Sequence, residues 1–491
     1  MLAYLLRRLL WMVPTFLGIL VINFGVLRLQ GPTLSEEMDK SIRNDGARNA
    51  DLVATGVENY LGRFRSTGLD LPALVNLRGF TDIDDVVALL RATERGPAVL
   101  EHERNRAEKD LWLMGRLLVE PLAAIVADDA LAELHGPASM ALSLCAYYPL
   151  NPEDLGRLTP EQQRQRQTRN HALKGLRIEY ANTREAGFAT TDPDAAGKRA
   201  AIAAFWQANR EDFARDGATA WRALVVETGF CDFMRKLFTG TLYSHQRKQW
   251  VFSLIADRWH VTFWLNFASI AIAWCISIPL GIRSARRLGT FEDAATTNVL
   301  FLLWSVPSFF VGTLFLHHLC TDTSTGKAWF PNRGMSSEGA LWLSTPRYLL
   351  DLLWHAFLPL VTLCYASFTS LSRYMRADIL EQLRSDYVRT ARAKGCAEDR
   401  VVYHHALRNS MVTMITLGSG LLAELFGGFV FVEYIFSIPG LGSLLLDAAR
   451  SNDAPLVMGS TVVSVGLLLI GILIADVLYA VADPRIRSRY G

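Results

Sequence analysis

The apolar residues of this 491-residue chain are concentrated in long blocks, not spread at the spacing of a soluble helix or strand. One block lies at the N-terminus and the others lie in the second half, with a polar, charged stretch of about 220 residues between them. A helix needs about 20 apolar residues to cross the hydrocarbon core of a bilayer. The blocks reach that length, so the sequence predicts an all-α membrane protein.

Six membrane-spanning helices are predicted from these blocks. They cover residues 9–29, 261–282, 298–319, 352–371, 412–435 and 456–481. The first run follows Arg7 and Arg8, as in a signal peptide, but it is long and no small-residue cleavage site follows it. We therefore expect an uncleaved anchor. Prolines within the spans, Pro307 among them, are expected to mark kinks that neighbouring helices tolerate.

Basic residues predict the orientation of the spans. With the N-terminus inside, the inside segments carry about 16 Lys and Arg residues, and the short outside loops carry about four. Because basic residues collect in short cytoplasmic loops, we expect both termini to face the cytoplasm. The membrane would be the inner (cytoplasmic) membrane of the cell. The domains would then be residues 1–30 (first helix), 31–250 (an insertion facing the periplasm) and 251–491 (a five-helix core).

Net charge and cysteine usage exclude several classes of protein. A net charge of +2 gives no concentrated basic face for nucleic acid. The six cysteines form no CxxC pair, which argues against metal or redox chemistry. Cys145 and Cys231 both fall in the insertion, and whether they pair is left open. The sequence has no GxxxxGK[ST] phosphate loop, so we expect no ATP site of that kind and no cofactor on this chain.

The insertion is predicted to be mainly helical. Runs such as "DVVALLRATERG" place apolar residues at intervals of three and four, and Pro and Gly clusters divide the region into helices of ordinary length. Two interpretations stay open. The insertion is either a helical cap that only packs on the membrane helices, or a docking platform for a solute-binding protein or another partner.

A polar stretch between the fourth and fifth predicted spans reads "SDYVRTARAKG" (385–395). It predicts a short helix, about 386–395, that Gly395 ends. Small residues at 391 and 393 would allow another surface to approach closely, and three cations could contact acidic groups on that surface. The residues concerned are Ala391, Ala393, Arg389, Arg392 and Lys394.

This stretch resembles the coupling helix of ABC importer permeases, specifically of the dipeptide/oligopeptide/nickel permease family. Arg389, Thr390 and Ala391 stand where the general motif has Glu-Ala-Ala, and Gly395 matches its glycine. Two further stretches are similar to family signatures: "VEYIFSIPGLGSLLLDAARSNDAPLV" (432–457) and "ADVLYAVADPRIRSR" (475–489). The resemblance covers about residues 1–30 and 237–491, and leaves the insertion unexplained.

The resemblance implies one half of a translocation pore of the type I ABC importer architecture. A second, homologous permease subunit would complete the pore, two ATPase subunits would hold ATP and Mg, and an external solute-binding protein would deliver peptides or a similar small solute. The residues implied in ATPase coupling are Arg389, Thr390, Ala391, Ala393, Lys394 and Gly395. The alternatives are an exporter permease of the same architecture, or a membrane-anchored sensor or scaffold that works through its outer domain.

Three acidic residues lie within the predicted spans, where a charge is costly. They are Glu424, Glu433 and Asp476. Each either contributes to the translocation pathway or a subunit interface, or has a structural explanation as a paired residue or as one exposed at the membrane interface. The structural alternative is favoured for Glu433 and Asp476, since both lie near span ends where the cost falls. For Glu424, near the middle of its span, the pathway or subunit interface is favoured.

Overall fold

The computed structural model describes residues 2–29, 65, 71–72, 74–95, 101–150, 152–155, 157–184, 187–213, 217–320, 329–337, 339–424 and 429–482. The chain divides into two compact units. The core unit comprises Met1–Leu20 with Gln249–Gly491, and the insertion unit comprises Val21–Lys248. The division after Lys248 lies close to the predicted boundary at residue 250. The other division falls within the first helix, α1 (Leu2–Leu29).

The described part of the insertion unit is mainly helical. Its helices are α2 (Ile83–Arg91), α3 (Glu101–Leu113), α4 (Val119–Ala127), α5 (His135–Cys145), α6 (Pro152–Leu155), α7 (Pro160–Gly175), α8 (Ala195–Phe213), α9 (Gly217–Val226) and α10 (Gly229–Phe238). Short 3-10 segments lie at Leu77–Phe80, Gly115–Leu118 and Asp129–Leu134. Capping boxes begin α2 at Asp82 and α7 at Thr159, and satisfy backbone N–H groups at the helix starts.

The insertion unit has a hydrophobic core of its own. Leu90 of α2, Leu122 of α4 and Leu142 of α5 are fully buried in one cluster with Ile202 of α8. An antiparallel hairpin, β1 (Tyr180–Thr183) and β2 (Gly187–Thr190), was not part of the helical prediction. A packed core of this kind means that the insertion is a structural domain and not an extended linker.

The core unit is built from long helices. After the two-residue strands β3 (Tyr243–Ser244) and β4 (Gln249–Trp250), its helices are α11 (Val251–Ala256), α12 (Trp259–Arg286), α13 (Phe291–Ser305), α14 (Ser308–Leu319), α15 (Thr345–Leu383), α16 (Asp386–Ala393), α17 (Glu398–Arg400), α18 (Leu407–Glu424), α19 (Val430–Ile435), α20 (Leu441–Arg450) and α21 (Ala454–Ala482). A 3-10 segment lies at Ala340–Trp342 and a π-helical segment at Val401–Ala406. Helices α12 and α15 pack closely where α12 carries glycine: a Cβ added at Gly281 would lie 2.6 Å from the Cβ of Met375.

Four helical stretches within the described residues are long and apolar enough to cross a membrane. They are Leu6–Val26, Val251–Arg286, Thr345–Leu383 and Ala454–Val477. They contain most of the predicted first, second, fourth and sixth spans. By length and composition these helices fit a multi-pass membrane protein.

The predicted third span is not one continuous helix. The pair α13 and α14 is bent by 89° at Val306 and Pro307, and counts as a fifth span only if the two helices are taken together. Pro307 has no N–H to donate, and it pushes Val306 into an extended conformation (φ −93°, ψ 123°). The Tyr365 hydroxyl of α15 donates to the Val306 carbonyl oxygen, which the break leaves without a helical partner.

The predicted fifth span, 412–435, corresponds to two helices. Helix α18 ends at Glu424 and α19 begins at Val430. Residues 425–428 lie outside the described residues, so the total of six spans stays a prediction.

Candidate functional site

The predicted short helix between the fourth and fifth spans is present as α16, which directly follows the 39-residue helix α15. Two of its residues, Val388 and Ala391, are buried with Val401 of the π-helical segment. Leu383 and Cys396 pack against this small cluster. The apolar residues three apart therefore fix one face of α16 to its own chain.

Gly395 ends the helix as the sequence predicts. Its φ of +78° lies in the left-handed region, which L side chains rarely adopt. The Gly395 N–H donates to the Arg392 carbonyl (2.9 Å), and the Cys396 N–H donates to the Ala391 carbonyl (3.2 Å). These bonds satisfy carbonyl groups at the end of the helix and turn the chain back towards α17.

The face of α16 opposite its anchor is exposed. It carries Arg389, Thr390, Ala393 and Lys394, which lie on one side of a helix because they are spaced one and four residues apart. Four of the six residues assigned to ATPase coupling are thus brought together on one surface. The same face also carries the exposed Asp386, 3.5 Å from Arg389, so it is a charged face with two cations, one carboxylate and the small residue Ala393.

Ala391 lies elsewhere than expected. It is only 8% exposed and contacts the cluster under the helix, so it does not offer a close approach to another surface. The small residue on the exposed face is Ala393. The sequence could not separate the two alanines, because the anchoring partner Val401 comes from the following segment.

An ion pair braces the end of α16. The Arg392 guanidinium donates to both carboxylate oxygens of Glu398, at 3.1 and 2.6 Å. This hydrogen-bonded guanidinium lowers the pKa of Glu398 below its ordinary value. The neighbouring Asp399 pairs with Arg286 at the end of α12 (2.8 Å). Arg392 therefore stabilises the turn that follows α16. Arg389 and Lys394 are the other cations of the exposed face.

Glu433 is held inside the core unit. It is 1% exposed, and its carboxylate accepts from the Thr262 hydroxyl of α12 (2.9 Å) and from the Ser443 N–H at the start of α20 (2.8 Å). Thr262 in turn accepts from the Leu441 N–H (2.8 Å). An added Cβ at Gly440 would lie 2.4 Å from the Glu433 carboxyl carbon, so the glycine leaves room for the carboxylate. This geometry favours the structural alternative for Glu433.

Asp476 also has a partner within its own unit. The Arg8 guanidinium of α1 lies 3.1 and 3.2 Å from its two carboxylate oxygens. The pair ties α1 to α21, which again favours the structural alternative. Glu424 is the last residue of α18, and its side chain lies outside the part of the chain that the structure describes.

A buried ion pair that sequence reasoning missed joins three helices. Asp293 of α13 is 5% exposed and accepts two bonds of 2.7 Å from Arg376 of α15. Its carboxylate also accepts from the Ser284 hydroxyl of α12 (2.5 Å). The available signal was Thr290, which caps α13 and marks Asp293 as a first-turn residue.

Cys145 and Cys231 are both free thiols in the structure. Cys145 is fully buried and donates to the Leu111 carbonyl (3.4 Å), and burial raises the pKa of its thiol to about 11. Cys231 donates to the Val225 carbonyl (3.1 Å). The disulfide that the sequence left open is not formed.

Taken together, the apolar helices and the short polar helix between two of them define a multi-pass α-helical membrane protein with one short, exposed polar helix. The sequence model of the family described as "Binding-protein-dependent transport system inner membrane component" matches residues 277–488. The matched range includes α16, Glu433 with Ser443, and the whole of α21, while Thr262 precedes it. The insertion lies outside it.

Curated relatives identify the family. The chain is 39% identical over 236 residues to the oligopeptide transport system permease protein AppB of Bacillus subtilis, which is 48% of this chain and 72% of that protein. It is 33% identical over 267 residues to the dipeptide transport system permease protein DppB of Lactococcus lactis, or 54% and 80%. For the peptidoglycan transport system permease protein YejB of Agrobacterium fabrum the identity is 33% over 241 residues, or 49% and 66%. The chain belongs to the family of binding-protein-dependent transport system inner membrane components.

Proposed function

We propose that this chain is a permease subunit of an ATP-driven importer for peptides, and that α16 is the element that docks on the ATPase. The single observation that carries the docking proposal is the two-sided construction of α16. Val388 and Ala391 hold one face on the core unit, while Arg389, Thr390, Ala393 and Lys394 are exposed on the other. A helix that only filled space would not need a separate exposed, charged face.

The firm anchoring of α16 suits the transmission of movement. It is joined to α15 by a two-residue turn, and its far end is braced by the pairs Arg392–Glu398 and Arg286–Asp399. A force on the exposed face would therefore reach α12 and α15 with little local deformation. In this proposal, closure of two ATPase subunits brings the two coupling helices of the permease pair together and opens the pore to the outside.

The substrate class comes from the names of the relatives. They are named for the transport of oligopeptides, dipeptides and peptidoglycan. We infer a peptide or a peptide-containing solute, delivered by an external solute-binding protein. The remaining partners are a second permease subunit and the lipid bilayer, with ATP and Mg on the ATPase subunits, and the orientation is the one predicted from the basic loops.

The test places a large side chain on the exposed face. Ala393→Trp leaves the buried cluster untouched, so we expect normal folding, loss of co-purification with the ATPase and loss of peptide uptake in proteoliposomes. Ala196→Trp, at an exposed alanine of α8, is the matched control and should have neither effect. If Ala393→Trp retains both ATPase binding and uptake, α16 is not the docking element.

The same preparation separates the alternatives. Uptake of peptide into vesicles with ATP and binding protein on opposite sides supports import. Extrusion in that geometry would support an exporter permease. Absence of any ATP-dependent flux in an assembled complex would support a sensor or scaffold.

A further inference from the structure

The insertion unit contains a cavity of about 700 Å³. Its walls come from the 3-10 segment Gly115–Leu118, from residues 148–158 and from helices α9 and α10. This volume falls within the range of about 300 to 1,000 Å³ that is usual for small-molecule pockets. All the described residues that line the cavity belong to the insertion unit.

The lining of the cavity is strongly cationic. Among its described residues, eight side chains are cationic and three are carboxylates. The whole protein carries a net charge of only +2, so this local excess is not a consequence of a basic composition. Concave walls of low polarisability concentrate the electrostatic field of these cations within the cavity.

Each of the three carboxylates already has a cationic partner. Asp154 pairs with Arg166 (3.0 Å), Glu227 pairs with Arg116, and Asp232 pairs with Lys236 (2.9 Å) and with Arg235. Arg157 instead donates to the hydroxyls of Thr239 and Thr241, both at 2.7 Å, which carry no charge. Arg222 projects from α9 as an exposed lining residue. The three carboxylates of the lining are thus already paired, and the lining carries more cations than carboxylates.

Two of the lining cations are buried, which distinguishes the cavity from a patch of surface arginines. Lys236 is 6% exposed and Arg65 is 8% exposed, and the Arg65 guanidinium lies 4.6 Å from the centre of the Tyr148 ring. Asn76, 1% exposed, adds a buried amide.

Burying a charged group is costly unless it is compensated. Asp232 compensates Lys236. Arg65 donates to the carbonyl oxygens of Leu144 and Tyr147. Both cations are therefore held in place at the cavity wall.

We propose that this cavity binds a small organic anion through its oxyanion groups, either carboxylate or phosphate. Arginine side chains form paired hydrogen bonds to both groups, and the apolar part of the lining, such as Leu113 and Met114, would contact the remainder of the ligand. An anion in this position would neutralise cations that otherwise repel one another. It would therefore also stabilise the folded insertion unit.

Isothermal titration calorimetry on the full chain in detergent tests the proposal with three probes. Tri-glutamate carries carboxylates, pyrophosphate carries phosphates, and N-acetyl-trialanine amide is neutral. We expect at least one anionic probe to bind, with affinity that falls as salt rises, and the neutral probe not to bind. The anionic probe that binds identifies the source of the oxyanion.

Matched variants locate the site. Arg157→Gln with Arg222→Gln removes two lining cations, and Arg91→Gln with Arg199→Gln removes two arginines that do not line the cavity. The first pair should weaken binding at least about tenfold, since two cations able to form charge-assisted hydrogen bonds to the anion are lost. The second pair should leave binding unchanged, and thermal unfolding without ligand checks that both variants are folded.

Three results would overturn the proposal. They are no binding of either anionic probe in the millimolar range, equal binding of the neutral peptide, and equal weakening by both pairs of variants. None of these depends on transport, so the proposal stands or falls separately from the proposed function.

Discussion

Gly395 is a residue at which backbone geometry limits substitution. No heavy atom lies within 4 Å of the position a Cβ would take, but φ is +78°. The cost of adding a side chain here therefore comes from backbone strain and not from crowding. Gly395→Ala should destabilise the end of α16 by about 1 to 2 kcal/mol. Gly395→Asn should cost less, because asparagine tolerates this conformation.

Hydrogen exchange of the amides at 391–396 measures this directly. We expect faster exchange in Gly395→Ala, an intermediate rate in Gly395→Asn, and a parallel loss of peptide uptake. Equal exchange in Gly395→Ala and the natural chain would mean that the left-handed turn does not hold α16.

Substitution of Glu433 is predicted to lower the stability of the folded protein, in addition to any effect on transport. Glu433→Ala leaves the Ser443 N–H and the Thr262 hydroxyl without their buried acceptor. An unsatisfied buried donor costs about 1 to 3 kcal/mol, so thermal unfolding in detergent should shift to lower temperature. Glu433→Gln keeps one carbonyl acceptor and should lose less. Unchanged stability with altered uptake would instead favour the pathway alternative.

The two alanines of α16 show what sequence can and cannot establish for a single residue. Gly395 was predictable because glycine after a short amphipathic segment is the usual helix stop. The different positions of Ala391 and Ala393 were not predictable, because burial depends on Val401, which lies beyond the turn. Glu433 lies in the short helix α19, and its partners Thr262 and Ser443 come from two other helices, so no local pattern could group them.

At the scale of elements, the Asp293–Arg376 pair is expected to hold α13 on α15. Asp293→Ala leaves a partly buried guanidinium without its partner, and should cost about 2 to 3 kcal/mol. That is below the full cost of breaking a buried pair, because the Arg376 side chain is 27% exposed. Thermal unfolding of the full chain measures the loss.

Neighbouring and double variants control this prediction. Glu292→Ala breaks pairs with the exposed Arg283 and Arg287, and should cost less than about 1 kcal/mol. Asp293→Ala with Arg376→Met should cost less than the sum of the single changes, since no uncompensated charge is left. Additive losses would show that the two side chains do not interact.

The Arg392–Glu398 pair predicts a pH dependence at the end of α16. The pKa of Glu398 is lowered from its ordinary value of 4.5 because Arg392 stabilises the carboxylate. Its contribution is complete above pH 4.5 and is lost as pH falls through the lower pKa of the folded state. Since Glu398 is 54% exposed, the effect is small. Amide exchange at 391–396, corrected for intrinsic rates, should rise in this acidic range, and Glu398→Gln should abolish the dependence.

Helix continuity was the weakest part of the sequence prediction at this scale. Apolar composition predicted one span over 298–319, but the chain bends by 89° at Val306 and Pro307. Pro307 predicted a kink, but hydropathy depends only on composition and could not show that the kink divides the span into two helices, with Tyr365 of α15 donating to the freed Val306 carbonyl. The capping and turn signals around α16 are local, so that element was predicted with nearly its observed bounds.

For the whole molecule, segregation of apolar blocks from a polar stretch predicted the membrane character of the chain. The family match over 277–488 agrees with the part of the sequence in which most of the motifs lie. The insertion was predicted only as a helical region. Its cationic cavity is assembled from residues as far apart as Arg65 and Lys236, and such a distance in sequence hides a site from any local pattern.

Site-directed cross-linking tests the central claim, that α16 meets an ATPase, most directly. A single cysteine at Ala393 and a control cysteine at Ala196 are introduced into the otherwise cysteine-free chain, and each is cross-linked within the assembled transporter. We predict that position 393 cross-links to the ATPase subunit in a nucleotide-dependent manner and that position 196 does not. Cross-linking of the ATPase to position 196, or none from position 393 in an assembled complex, would contradict the account.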